Sequence, residues 1–355
     1  MKETFVRREV MLTTRERTRP AGVLAAIGET PLVELQRLVH GAGFQVYAKL
    51  ESFNPGGSIK DRVAYNMLAP LIDSGRLTPG RSVVIESSSG NLGIGLAHVC
   101  RYFGLRFICV VDTLTTKQNL AVLRAFGAEV DLVTTLDPET QSFLPTRLGR
   151  VRHLCAQTPD AYWPNQYVNP LNAQAHETTM DEIVSALGTD LDYLFCATSS
   201  CGTLHGCARY VREHGLNTTI VAVDALGSAI FRPGSARRLI PGHGASVRPA
   251  LFADGLANEV IHVSDLECVH GCRRLVRDES ILAGGSSGAI VAALLRKAPA
   301  IREGTRCVLV LADRGDRYLD TIYDDRWIVE NFGVDAALGL PGYIGRDFGA
   351  GSSGT

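Results

Sequence analysis

Ser82-Val83-Val84-Ile85-Glu86-Ser87-Ser88-Ser89-Gly90-Asn91-Leu92-Gly93-Ile94-Gly95 runs from an apolar β-branched segment through a turn rich in hydroxyls and glycine into a helical pattern. Working outward, Ser82–Ile85 reads as a strand and 93–103 as a helix; Phe107–Val111 is a strand, 117–126 a helix and Val130–Val133 a strand. Strands alternating with amphipathic helices require crossover connections, so this segment builds a parallel sheet. A second series follows, with a strand at Tyr193–Ala197, a helix over 203–214, and strands at Ile220–Val223 and Cys307–Leu311. Two α/β domains are expected.

Length allows this, since 355 residues suffice for two domains with a substantial buried core. The net charge is −1 and the basic residues form no long run, which argues against a nucleic-acid or membrane-surface partner. Nine cysteines lie scattered without a CxxC pair or zinc-type spacing, so a reducing, cytoplasmic setting is expected and no metal. Residues 1–22 read as a polar arm with neither signal peptide nor membrane span, and 334–355, ending Gly-Ser-Ser-Gly-Thr, as a flexible tail.

Upstream of the opening stretch lies Asn54-Pro55-Gly56-Gly57-Ser58-Ile59-Lys60-Asp61-Arg62, a lysine in a glycine-rich loop. A lone loop lysine is commonly a solvated surface residue. An amine that condenses with a carbonyl must instead lose its proton some of the time, through desolvation or nearby positive charge. The turn Ser88-Ser89-Gly90-Asn91 presents hydroxyls and backbone N–H groups at a helix start, a place to hold a substrate carboxylate. A dinucleotide fingerprint is the rival reading, with Asp112 ending the next strand, but Gly90-x-x-Gly93-x-Gly95 reverses the GxGxxG order. Thr198-Ser199-Ser200-Cys201-Gly202-Thr203, again between strand and helix, forms a candidate phosphate cup. Ala283-Gly284-Gly285-Ser286-Ser287-Gly288 precedes a helix at Ala289–Leu295, where Ser286 serves either as an N-cap or as a partner for a neutral ring nitrogen.

Taken together, Lys60, the Asn91 loop, the Ser199–Thr203 cup and Ser286 resemble the fold-type II pyridoxal 5'-phosphate enzymes, the cysteine synthase and cystathionine β-synthase family. The resemblance runs from Ile27-Gly28-Glu29-Thr30-Pro31-Leu32 to about Tyr318. It implies an α/β fold of the tryptophan synthase β type: two three-layer domains with pyridoxal phosphate in the cleft between them. The smaller, mobile domain would be 54–160, and the larger, phosphate-binding domain 23–53 and 161–333. By the same resemblance Lys60 would carry the cofactor and act as catalytic base, and Asn91 would meet the ring hydroxyl. Ser199, Ser200, Cys201, Gly202 and Thr203 would hold the phosphate, and Ser286 would face the pyridine nitrogen. A hydroxyl there, rather than a carboxylate, leaves the ring nitrogen unprotonated and suits β-elimination and replacement over transamination. A homodimer is the family's common state.

Departures from the cysteine synthase pattern occur at Leu92, Ser199 and Cys201, at 162–170, at 241–246 and at 312–320. They resemble a subgroup, the N-(2-amino-2-carboxyethyl)-L-glutamate synthases, which join O-phospho-L-serine to L-glutamate on the way to 2,3-diaminopropionate, a precursor of siderophores and peptide antibiotics. Arg147 stands where a small residue is usual and would suit a dianionic leaving group, as a guanidinium fork matches phosphate; its plainer reading is a surface arginine beside Arg150 and Arg152. Tyr167 and Arg248 are further candidates for that pocket. His243 and Cys201 read as packing residues. The rivals are a cysteine synthase using sulfide, a serine or threonine dehydratase, and an idle paralogue that acts as a binding partner, against which the presence of Lys60 argues.

Overall fold

The computed structural model describes residues 22–140, 142–232, 234 and 238–339. Among the described residues the strands are β1 (Leu32–Glu34), β2 (Gln45–Leu50), β3 (Val83–Ser87), β4 (Arg106–Asp112), β5 (Glu129–Val133), β6 (Ala161–Tyr162), β7 (Tyr193–Ala197), β8 (Thr219–Ala225), β9 (Glu259–Val263) and β10 (Arg306–Leu311). The helices are α1 (Lys60–Asp73), α2 (Asn91–Phe103), α3 (Lys117–Ala125), α4 (Phe143–Gln157), α5 (Pro170–Gln174), α6 (Glu177–Leu187), α7 (Gly202–Glu213), α8 (Asp265–Glu279), α9 (Gly285–Lys297), α10 (Asp325–Phe332) and α11 (Val334–Leu338). The arm expected at 1–22 lies outside the described residues except Gly22, which opens a short turn at Gly22–Ala26. Of the segment expected as a tail, Val334–Leu338 is helical and 340–355 lie outside the described residues.

Strands β1-β2-β10-β7-β8-β9 form one sheet, parallel except for β1 against β2. Strands β5-β4-β3-β6 form the other, wholly parallel. Both faces of each sheet are covered, as parallel sheets require. In the larger sheet Phe195, Val221, Val223 and Leu309 pack toward α8 and α9, while Leu194, Cys196, Ile220, Val308 and Val310 pack toward α6 and α7. In the smaller sheet Val84, Phe107, Cys109 and Val111 face α1 and α2, and Val83, Ile85, Ile108 and Val110 face Val151 of α4. The period-two alternation of strand side chains sorts the residues in this way.

Helices α8 and α9 cross where glycine meets glycine. A Cβ built on Gly271 would stand 2.0 Å from the Gly288 carbonyl oxygen, and one on Gly288 would stand 2.0 Å from that of Cys268. Only glycine allows this approach, which seats the start of α9 against the ends of the strands. All nine cysteines are free thiols. Among the described residues no helix is long and apolar enough to cross a membrane.

Candidate active site

Ligand sites of open α/β sheets form beyond the carboxyl ends of the strands. Here the segments after β2, β3, β7 and β10 converge there. Ile59 N donates to Ala312 O (2.8 Å) and Ser58 bridges Asp313, so the lysine loop docks on the end of β10. Asn91 Nδ2 donates to Asp313 Oδ2 (2.8 Å), joining the turn after β3 to the same place. The two sheets therefore share one cleft.

Lys60 opens α1 deep in this cleft, with part of its surface still facing the open space. Burial lowers its ammonium from the usual 10.5 to about 8, although the Asp313 and Glu51 carboxylates pull it upward. An amine at that value is unprotonated often enough to attack a carbonyl near neutral pH. Its helix is anchored by Arg62, whose Nε and Nη2 meet Glu51 at 2.7 and 2.9 Å and whose Nη1 and Nη2 meet Glu182 at 2.6 and 2.7 Å. Asp61 accepts from Gly56 N at 2.5 Å, folding the loop back on the helix.

Ser88, buried, accepts from Gly93 N (2.9 Å) and holds the Ser88–Asn91 turn; Ser89 O accepts from Asn119 Nδ2 (3.0 Å). Gly90 is the N-cap of α2, so Asn91 is its first residue; the N-cap itself has no side chain, and Ser88 Oγ takes the Gly93 N–H in its place. At α1, α6, α7 and α9 too the N-cap residue's own side chain makes no capping hydrogen bond, although Ser58 Oγ accepts from Lys60 N (3.2 Å) and Ser200 Oγ from Gly202 N (3.5 Å). By contrast Thr116, Ser142, Asn169, Ser264 and Asp324 cap α3, α4, α5, α8 and α10. Helix starts left without a cap present free N–H groups and positive dipole ends to an anion.

In the cup, Ser199 and Thr203 are half-buried and Ser200, Cys201 and Gly202 are buried. Cys201 takes a left-handed conformation (φ 65°) as the N-cap of α7, turning the chain sharply enough to wrap a small group. Asn172 Nδ2 donates to Gln166 O (2.8 Å) and Ser200 Oγ (3.3 Å), bracing the cup. A Cβ on Gly202 would lie 2.2 Å from Asn172 Oδ1, so glycine is required. His176 Nε2 lies 3.2 Å from Thr203 Oγ1. Burial, then the charges of Lys60 and Arg62, hold the His176 imidazole well below its ordinary range, in its neutral form.

Ser286 stands in the first turn of α9, whose N-cap is Gly284, so it is not a capping serine. Its neighbour Ser287 accepts from Ala312 N (3.2 Å), tying α9 to the end of β10. A Cβ on Gly284 would lie 2.1 Å from Asp313 Oδ1, an oxygen buried without a hydrogen-bond partner. Tyr318 OH donates to Asp313 Oδ2 (2.5 Å), and Arg317 donates to Asn91 Oδ1 and to Gly56 O. Burial raises the Asp313 carboxyl, opposed by the hydrogen bonds from Tyr318 and Asn91.

Arg147 is buried rather than on the surface, with Nε 3.3 Å from Asp112 Oδ2 and with Nε and Nη1 lacking hydrogen-bond partners. Asp112 thus steadies an arginine where the dinucleotide reading would have it meet a ribose. Burial pushes the nearby Tyr167 phenol up to about 12, with Arg147 lowering it and Glu86 and Asp112 raising it. Glu86 accepts from Trp163 Nε1 (3.0 Å), Ser87 N (2.8 Å) and Gln166 N (3.2 Å), fixing the wall beside Tyr167. Arg248 is not brought into the site: it donates to Ile230 O (2.9 Å) and lies over Phe252. Cys201 packs with Ile230 and Leu251, its thiol pushed by burial to about 12 and so unreactive. His243 is buried and neutral, lowered to about 4 by burial and Arg238.

The residues fit pyridoxal phosphate. A depressed lysine, a tight cup of N–H groups and hydroxyls, an amide at Asn91 and a hydroxyl at Ser286 are the groups its aldehyde, phosphate, ring oxygen and ring nitrogen require. Asp313, Arg317, Tyr318 and Asn172 join this site without any role having been read for them in the sequence, and only the unusual 312–320 segment drew attention to the first three; Asp112 was read only as the acidic residue of the rival dinucleotide fingerprint.

The sequence model of the family described as "Pyridoxal-phosphate dependent enzyme" matches residues 23–313. N-(2-amino-2-carboxyethyl)-L-glutamate synthase of Ralstonia nicotianae is 46% identical over 307 residues, covering 86% of this chain and 90% of the relative. The protein of that name from Cupriavidus metallidurans is 44% identical over 310 residues, with coverage of 86% and 90%. Among solved structures, an O-acetylserine dependent cystathionine β-synthase from Helicobacter pylori superposes with a TM-score of 0.78 at 32% identity, covering 84% of this chain and 97% of that one. An O-ureido-L-serine synthase superposes at 0.77 and 30% identity, covering 89% and 98%. With its sheets, its cleft and this matched span in agreement, the chain belongs to the pyridoxal-phosphate-dependent enzymes of fold type II, as a synthase of the β-replacement type whose cofactor is pyridoxal phosphate.

Proposed function

We propose that the enzyme joins O-phospho-L-serine to L-glutamate, giving N-(2-amino-2-carboxyethyl)-L-glutamate and inorganic phosphate. The observation that carries this reading is the 46% and 44% identity, over most of both chains, to two proteins named for that product. Support at the residue level comes from Arg147, a buried guanidinium with two nitrogens lacking hydrogen-bond partners, beside the Tyr167 phenol.

Pyridoxal phosphate, when bound, supplies an electron sink that lets Cα of the serine substrate give up its proton. Lys60 would hold the cofactor, with Asn91 and Ser286 meeting its ring and Ser199 to Thr203 its phosphate. As a free amine Lys60 removes the Cα proton and later returns one. The Ser88, Ser89, Gly90 and Asn91 turn binds the substrate carboxylate through N–H groups at the start of α2. Arg147 and Tyr167 bind the leaving phosphate as the Cβ–O bond breaks. The glutamate amine then forms the Cβ–N bond and loses its proton. Closure of 54–160 over 23–53 and 161–333 excludes water, which would otherwise divert the reaction to pyruvate. The product would feed 2,3-diaminopropionate for siderophores or peptide natural products, made by a cytoplasmic homodimer.

Mass spectrometry of products tests this directly. Cofactor-loaded enzyme is given O-phosphoserine or O-acetylserine, each with glutamate or sulfide. Efficient formation of the glutamate adduct from O-phosphoserine is expected. Faster cysteine formation from sulfide, or pyruvate release without a second substrate, would overturn the assignment.

A further inference from the structure

The amide of Asn91 has two chemically opposite ends of nearly the same shape. Its oxygen only accepts hydrogen bonds and its nitrogen only donates them. A half-turn about the last side-chain bond exchanges them, so something in the site must choose. Two buried groups on the segment after β10 make that choice. Arg317 bears five N–H donors and no acceptor, and it donates to Asn91 Oδ1. Asp313 accepts from Asn91 Nδ2 at 2.8 Å. A flipped amide would set donor against donor at Arg317 and acceptor against acceptor at Asp313.

Both partners are themselves held. Arg317 also donates to Gly56 O in the lysine loop, and Tyr318 OH donates to Asp313 Oδ2 at 2.5 Å. Arg317 is 8% exposed and Asp313 2% exposed, so water is poorly placed to substitute for either. Asn91 Nδ2 carries two hydrogens, and Asp313 takes one.

We infer that Arg317, with Asp313 opposite, is a positioning residue that locks the Asn91 amide with its second N–H aimed at the cofactor's ring oxygen. Arg317 acts through Asn91 and touches no reacting atom. The inference deepens the cofactor-binding part of the proposed reading, because it rests on Asn91 being the partner of that ring oxygen. It also makes the amide a joint between the two halves of the cleft, since Asn91 begins α2 and its two partners follow β10.

The test uses the cofactor-loaded protein without substrates and reads two quantities, the visible absorption band and the cofactor dissociation constant. N91A and R317M should shift the band in the same direction and weaken cofactor binding to a similar extent, about tenfold, the order of one buried hydrogen bond to a charged group. The double variant N91A/R317M should be no worse than N91A alone. R317K, which keeps a donor for Asn91 Oδ1, should restore the band even with its bond to Gly56 O weakened. If R317M does not fold, R317Q takes its place with the same expectations, because a second amide can face Asn91 with either end and selects neither. A band unchanged in R317M, or effects that add in the double variant, would assign Arg317 to the lysine loop alone and overturn the inference. Wild-type protein with no visible band would instead sink the cofactor assignment for Lys60, and this inference with it.

Discussion

Lys60 and Arg147 show how burial gives ordinary side chains their chemistry. An amine attacks an aldehyde only when neutral, and burial lowers the Lys60 ammonium to about 8. Cofactor uptake by apo-enzyme should therefore accelerate as pH rises through about 8 and level off above it. Rapid-mixing absorbance across pH measures this, and a rate flat from pH 6 to 10 (roughly two units either side, set by the titration range) would contradict it. Asp313 raises the amine, so D313N should move the midpoint to lower pH. Arg147 is held by Asp112 with two buried nitrogens lacking hydrogen-bond partners. In R147M the KM for O-phosphoserine should rise about tenfold or more, the worth of a charge-assisted bond, with O-acetylserine turnover little changed. Equal losses with both esters in steady-state assays would mean that Arg147 holds the wall of the site rather than the phosphate.

At the level of elements, α9 is the most exacting piece, because its glycines sit where α8 crosses. G288A would drive a methyl against the Cys268 carbonyl and should cost about 1–3 kcal/mol, seen as a lower urea midpoint. Weaker cofactor retention should accompany it, since Ser286 shares that turn. The glycines also explain where sequence reading fell short. Ala289–Leu295 was legible as helix, but Gly285–Gly288 have poor helix propensity, and only the contact with α8 makes the helix start at Gly285. Helix α2 behaves alike: reading began it at Gly93, while Ser88 bonding to Gly93 N lets it begin at Asn91. The buried strand Tyr193–Ala197 was legible in full because a short, wholly apolar run with two aromatics, bounded by turns, has few other fates. Edge strand β9 carries Val260, Ile261 and Val263, but Glu259 and His262 interrupt the apolar run and it was not read. The turns at Ser88 and Ser199 were visible because each pairs a strand end with a helix start; the lysine loop and the 283–288 loop stood out by their glycines and hydroxyls. The partnership of Asn91 with Asp313, 222 residues apart, was not, since nothing local encodes which strand ends meet.

For the molecule as a whole, Arg62 is the hub that binds the lysine helix to both the larger sheet and α6. R62M would leave Glu51 and Glu182 facing one another without their shared counter-charge. Removing one partner of a buried pair costs about 3–5 kcal/mol, so this variant should show a large loss in denaturant midpoint. Acid should act on the same hub. Burial alone would raise the Glu182 carboxyl, but bonds and charge from Arg62 and Lys49 outweigh it and hold it at about 2, against 4.5 for the ordinary group. A depressed carboxyl stabilises the fold fully above its unfolded value and loses that contribution as pH falls toward its folded one. Stability should therefore decline between pH 4.5 and about 2, and E182Q should flatten that stretch of a pH series of unfolding curves. The helix starts at the cleft have a further effect on the empty protein. The N-cap residues of α2, α7 and α9 supply no capping side chain, so three positive helix ends open there toward the cleft of the apo-chain. Millimolar inorganic phosphate or sulfate should raise its melting temperature, and saturation with the vitamin-derived ligand should erase that salt benefit. An anion seated at those helix ends would then act as a last piece of the molecule's packing.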